Sequence, residues 1–168
     1  MKNFGIVALF LLGFVILETA VFSNIIILPA VPDFILICSL YFSLHNGRLY
    51  GTCAGFAGGL FLDCLSASPF GLHCLLRTIL GYIWGFFFKS LNVSGILFPV
   101  LYGVTGTLLK ALVLWIIAVF FTNVNETYEI FSAAFAFQLI INGLLTPVVF
   151  KFLDIFKNTL VLNPEKVR

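Results

Sequence analysis

Six side chains conflict with the sequence around them. Glu18, Asp33, Asp63, His73, Arg77 and Lys110 are ionisable, yet each lies within or at the end of a long apolar run. An ionisable group in a lipid setting is costly, so it marks either a functional site or an ion pair that fixes how helices pack. His73 and Arg77 are four residues apart and share one face of a helix. Glu18, Asp33 and Asp63 fall near the same side of the chain's zigzag, so acidic groups collect around a single arginine. Two readings stay open. One is a buried polar site or partner-binding socket centred on Arg77. The other is a structural pair of Arg77 with Asp63 or Glu18. Lys110 lies deeper, level with Gln138 and Asn142 of the last run. It forms a second polar group, either an interhelical hydrogen-bonded contact or a conduction or transport relay.

None of these residues makes a recognisable catalytic set. The sequence has no nucleophile elbow, no HExxH and no phosphate-binding loop. Cys38, Cys53, Cys64 and Cys74 form no CxxC pair, and His45 and His73 stand alone, so no metal site is expected. The cysteines read as small apolar residues and the histidines as hydrogen-bonded structural groups. The expectation is a protein that is not an enzyme and has no cofactor. Net charge is only +2, without a Lys/Arg-rich run, so nucleic acid is not an expected partner.

The elements that carry these residues must be helices in a bilayer. The chain is 61% hydrophobic and 10% charged, against about a quarter charged in soluble domains. Its apolar runs are continuous rather than alternating, which selects helices over a barrel. Six runs separate, at about 4–22, 32–46, 49–65, 69–88, 95–121 and 130–156, and no linker divides them, so 1–168 reads as one six-helix domain. The second run is short and has to be shielded by its neighbours or stand with little tilt. Asn46-Gly47 marks a tight turn, and Ser68-Pro69 reads as a cap followed by proline at the first helical position. The first run lacks a small-x-small cleavage pattern, because Glu18 stands where a small residue is needed, so it reads as a retained helix. With the N-terminus in the cytoplasm, Lys2, Arg48, Lys89, Lys151, Lys157, Lys166 and Arg168 all fall inside. The external loops then hold no Lys or Arg, so both termini are expected to be cytoplasmic.

Glycine spacing supplies a further signal. Gly51, Gly55 and Gly59 recur every fourth residue, Asp63 continues that face, and Gly81 and Gly85 repeat the spacing on the next run. Such faces let two helix backbones approach closely, either within the chain or between molecules.

The stretch from Pro32 to Gly85, about a third of the chain, resembles the bacterial rod shape-determining protein MreD family. The resemblance rests on Pro32-Asp33-Phe34, on Gly47-Arg48 with Gly51, and on Gly55-Phe56-Ala57-Gly58-Gly59-Leu60-Phe61-Leu62-Asp63. It continues through Ser66-Ala67-Ser68-Pro69-Phe70-Gly71-Leu72-His73 and Gly81-Tyr82. It implies a non-catalytic subunit of the cell-elongation machinery in the bacterial cytoplasmic (inner) membrane. Such a subunit binds MreC and, through it, works with MreB, RodA and a class B penicillin-binding protein in side-wall peptidoglycan synthesis. On this reading Gly51, Gly55, Gly59 and Asp63 serve helix packing or MreC contact, and Pro69, Gly71 and Arg77 shape the outer side. The family also resembles, at the level of fold, the substrate-binding subunits of ECF vitamin importers. The competing function is therefore such a subunit, with Glu18, Asp33, Asp63, His73 and Arg77 lining a pocket.

Overall fold

In a medium without water, a backbone has to satisfy its own hydrogen bonds, and an apolar run does so by coiling into a helix. The computed structural model describes residues 2–25, 29–66, 69–88, 90, 95–120 and 132–161, and the elements it assigns there are all helices. Helix α1 covers Lys2–Ile16 and continues through a π turn, Leu17–Val21, into a 3-10 turn, Phe22–Asn24. Then follow α2 (Phe34–Asn46), α3 (Arg48–Leu65), α4 (Leu72–Phe86), α5 (Leu97–Phe120), α6 (Ala133–Ile155) and the single-turn α7 (Lys157–Leu160). Three helical stretches, Gly5–Asn24, Leu97–Phe120 and Ala133–Ile155, are long and apolar enough to cross a membrane, and Phe34–Asn46 and Leu72–Phe86 are shorter apolar helices. The break expected between the runs at 95–121 and 130–156 lies outside the described residues.

The shortest of the main helices is the centre of the molecule. Every residue of α2 from Phe34 to His45 is buried, with α3, α4 and α6 packed around it and α1 and α5 completing the wall. A 13-residue helix is too short to span a bilayer alone. The surrounding helices remove it from lipid, which is the shielding its length demands. Its far end closes at Gly47, whose φ of 87° turns the chain directly into α3. There Asn46 donates from Nδ2 to the Leu160 carbonyl (3.1 Å), and Tyr41 donates its hydroxyl to Asp154 Oδ1 (2.8 Å).

Helices α3 and α4 meet along their glycines. A Cβ built on Gly51 would lie 2.6 Å from the Gly81 carbonyl oxygen, one on Gly59 2.5 Å from that of His73, and one on Gly85 2.5 Å from Arg48 Cα. At Gly55 it would run into the Arg77 carbonyl. Both glycine faces are thus used inside the chain, against each other. Across the bundle, α5 and α6 pair in the same manner, with Gly103 against the Asn142 carbonyl (2.8 Å to its ideal Cβ) and Gly143 against Val104 (2.9 Å).

The start of α4 corrects one expectation. Pro69 is not its first residue: the helix begins at Leu72, capped by Gly71 with φ 95°, and Pro69 lies in the preceding turn, accepting from the Leu72 N–H at 3.1 Å. Ser68 lies outside the described residues. The outward faces of α5 and α6 show Leu101, Leu112, Trp115, Val119, Ile140, Leu144 and Val148, a surface that suits lipid and not water.

The glycine contact is testable. Gly55→Leu forces a side chain into the α4 backbone, where nothing can rotate away, and is expected to cost more than about 3 kcal/mol. Size-exclusion profiles of the detergent-solubilised variant should show aggregation or loss of protein. A monodisperse peak at wild-type yield would refute the packing.

Candidate functional site

The polar centre is built on Asp33, the residue that caps α2. Its Oδ1 accepts the Leu36 N–H at 2.8 Å, satisfying one of the donors that every helix start leaves open. The same carboxylate binds two cations from two other helices. Arg77 Nη1 of α4 lies 2.8 Å from Oδ1, and Lys110 Nζ of α5 lies 2.6 Å from Oδ2. Glu18 reaches the cluster from the π turn that ends α1, with Oε1 4.0 Å from Arg77 Nη2 and Oε2 accepting the Ile35 N–H at 3.3 Å. Asp33 is 1% exposed, Arg77 2%, Lys110 6% and Glu18 9%, so all four ionisable groups are buried.

Helix α6 completes the site with amides. The Asp33 N–H donates to Asn142 Oδ1 (2.9 Å), and Asn142 Nδ2 donates to Thr107 Oγ1 (3.0 Å). Thr107 in turn donates to the Gly103 carbonyl (2.8 Å). Gln138 Nε2 donates to the Val31 carbonyl at 3.1 Å. The two polar groups expected to be separate, one near the outer ends and one deeper at Lys110, are a single cluster with Asp33 at its hub. Its depth is set by α5: Phe120 lies ten residues beyond Lys110, about 15 Å further along the helix.

Asp63 and His73 are placed elsewhere. Asp63 Oδ2 accepts the N–H groups of Gly71 and Cys74, and Oδ1 accepts that of His73, each at 3.0 Å. A carboxylate from the end of α3 thus caps the start of α4, where its charge also suits the helix dipole. His73 enters this arrangement through its backbone, and Gly71 supplies both an N–H and the left-handed turn. Arg77 therefore meets Asp33 at short range and Glu18 at longer range, while Asp63 holds a helix end. Gly51, Gly55, Gly59, Gly81 and Gly85 lie in the α3–α4 contact and Pro69 in the exposed turn ahead of α4.

Sequence reasoning did not single out Thr107 or the Tyr41–Asp154 contact. Thr107 precedes Lys110 by three residues on the same face, as Thr146 repeats the Gln138–Asn142 spacing, so a polar stripe is the signal that identifies Thr107, whereas the Tyr41–Asp154 contact joins distant segments and follows no local spacing. The cluster pairs acid with base and offers no nucleophile aligned with a base. Among the described residues, no group of three or more His, Cys, Asp or Glu side chains converges to hold a metal ion.

A family model described as rod shape-determining protein MreD matches residues 2–156 of the 168. The chain belongs to the MreD family. No curated protein and no solved structure matches it. The match runs through every helix from α1 to α6, so in this MreD-family chain the whole charge cluster, from Glu18 to Asn142, lies inside the matched region. The family is one of rod-shape determination rather than of known enzymes.

Removing the hub should be far more damaging than removing the cap. Asp33→Asn leaves two buried cations facing one distant carboxylate and is expected to cost about 3–5 kcal/mol. Asp63→Ala removes a cap and is expected to cost about 1–2 kcal/mol. Thermal unfolding in detergent separates the two, and equal losses would count against Asp33 as hub.

Proposed function

We propose that this chain is a non-catalytic, multi-pass subunit of the bacterial cell-elongation machinery, acting as a membrane scaffold that binds MreC. Through MreC it works with MreB, RodA and a class B penicillin-binding protein to direct side-wall peptidoglycan synthesis. The family match over nearly the whole chain carries this reading. The interior supports it, because the charged side chains of the cluster satisfy one another instead of being presented to a reactant.

On this reading six helices cross the bacterial inner membrane with both termini in the cytoplasm. The distribution of cations supports that orientation. Arg48 at the start of α3 and Lys151 and Lys157 at the end of α6 and start of α7 lie at one end of the bundle, where Phe10 of α1 also packs against the Phe156 ring at a tilt (5.1 Å between centroids). Arg48 rests its guanidinium over the Phe86 ring at 4.9 Å, an amphipathic anchor suited to an interface. The importer reading needs Glu18, Asp33 and Arg77 turned toward a ligand, whereas Asp33 and Arg77 are engaged with each other at 2.8 Å. The glycine face is engaged as well, so MreC has to meet an outer, lipid-facing surface rather than Gly51, Gly55 and Gly59.

Depletion of the protein in a rod-shaped host is the deciding experiment. Cells are expected to round up and to lose side-wall incorporation of a fluorescent wall precursor while small-molecule uptake continues. Intact rods with a defect in vitamin uptake would transfer the protein to the importer class. A reporter fused to the C-terminus should be active only in its cytoplasmic form, and periplasmic activity would refute the orientation.

A further inference from the structure

The polar contacts divide the bundle into two units. Helices α1–α4 form one, closed by the α3–α4 glycine contact, with Leu11 and Ile35 facing Gly58. Helices α5 and α6 form the other, closed around Gly103 and Gly143. Apolar contact between the units is part of one continuous core and includes edge-on rings, Tyr41 on Phe150 (5.3 Å), Trp84 on Tyr102 (6.1 Å) and Phe152 on Phe10 and Phe14 (6.5 and 6.3 Å), and Leu40 against Gly106. Among the described residues, directed links between the units include Lys110 to Asp33, Asn142 to the Asp33 N–H, Gln138 to the Val31 carbonyl and Asp154 to Tyr41, all at α2 or just ahead of it, and the Leu160 carbonyl of α7 accepts from Asn46 at the other end of α2.

The charges within the cluster divide in the same way. Counted by formal charge, the first unit contributes Glu18, Asp33 and Arg77, a net of −1, and the second contributes Lys110, a net of +1. Neither unit is neutral in this cluster by itself, and joining them makes it so. Lipid supplies little apolar drive to bring helices together, so the arrangement is selected by close packing and by directed polar contacts, and an unpaired buried charge disfavours every wrong pairing.

We propose that the cluster is an assembly key: a charge-balanced joint through which the α5–α6 hairpin recognises and locks onto the α1–α4 unit. The quantity that matters is the net charge of the cluster, more than any one of its hydrogen bonds. This goes beyond the scaffold reading and does not depend on it.

The test is charge compensation in the full-length chain. Lys110→Met leaves the cluster at −1 and Glu18→Gln leaves it at +1. The double variant Lys110→Met/Glu18→Gln keeps Asp33 paired with Arg77 and returns to zero. A second double, Glu18→Gln/Asp33→Asn, also removes two charges but leaves +2. Each single variant is expected to lower the apparent Tm in detergent by on the order of 10 °C. The neutral double should recover at least half of that loss, and the +2 double should be the worst of the four. A neutral double at or below the worse single, or single variants indistinguishable from wild type, would overturn the proposal.

Discussion

The structure depends on the cost of placing charge where water cannot reach. Asp33 is almost fully buried and would be untenable alone, yet it is the one carboxylate that caps α2, receives Arg77 and receives Lys110. Three helices and the loop ahead of α2 are registered against a single side chain. A shift of α4 or α5 by one residue would move a cation about 1.5 Å along and 100° around its helix, which breaks the pairing. Ionic contacts of this kind add little net stability but strongly disfavour wrong arrangements, because the alternative is an unpaired charge in an apolar medium.

Close packing and charge divide the work. Glycine contact brings α3 and α4 near enough for backbone to touch backbone, and its attraction is summed over many weak contacts. Such a contact defines how near two helices lie, while the register within it is fixed by directed bonds. Ser43 shows both at one place: its hydroxyl, shared between the Ser39 carbonyl at 2.6 Å and the Gly81 carbonyl at 3.1 Å, joins α2 to the α3–α4 contact from outside. The C-terminal end of α2 is held similarly by Tyr41 on Asp154 and Asn46 on Leu160, so α2 is fastened at both ends and sheathed between them.

Much of this is legible in the sequence. The helical class follows from unbroken apolar runs, and the α3–α4 contact from glycines at every fourth residue. Each member of the charge cluster is visible as an ionisable or amide residue in an apolar run. What the sequence conceals is which of them meet. Asp33 and Asp63 look equivalent, since each ends an apolar run near the same side. They differ because Asp63 is followed by a short turn that brings the start of α4 back to it, whereas Asp33 begins a helix that lies inside the bundle. That position follows from how five other helices surround α2, which no local pattern encodes. The same long-range fact merges Lys110 with Arg77, residues separated by a whole helix and loop.

Burial of α2 also explains why a short helix is suited to the centre. A full-length span in that position would carry its N-terminus to the bilayer surface, where Asp33 would be hydrated and could release its cations to water. Beginning about 15 Å inside the reach of α5 keeps the carboxylate among its partners. The residues ahead of α2 must then descend into the bundle, and non-helical backbone at that depth is tolerated only where protein satisfies it. Gln138 does so for the Val31 carbonyl, and Asn142 does so for the Asp33 N–H. The amides of α6 are thus required by the short helix, as the two cations are required by its cap.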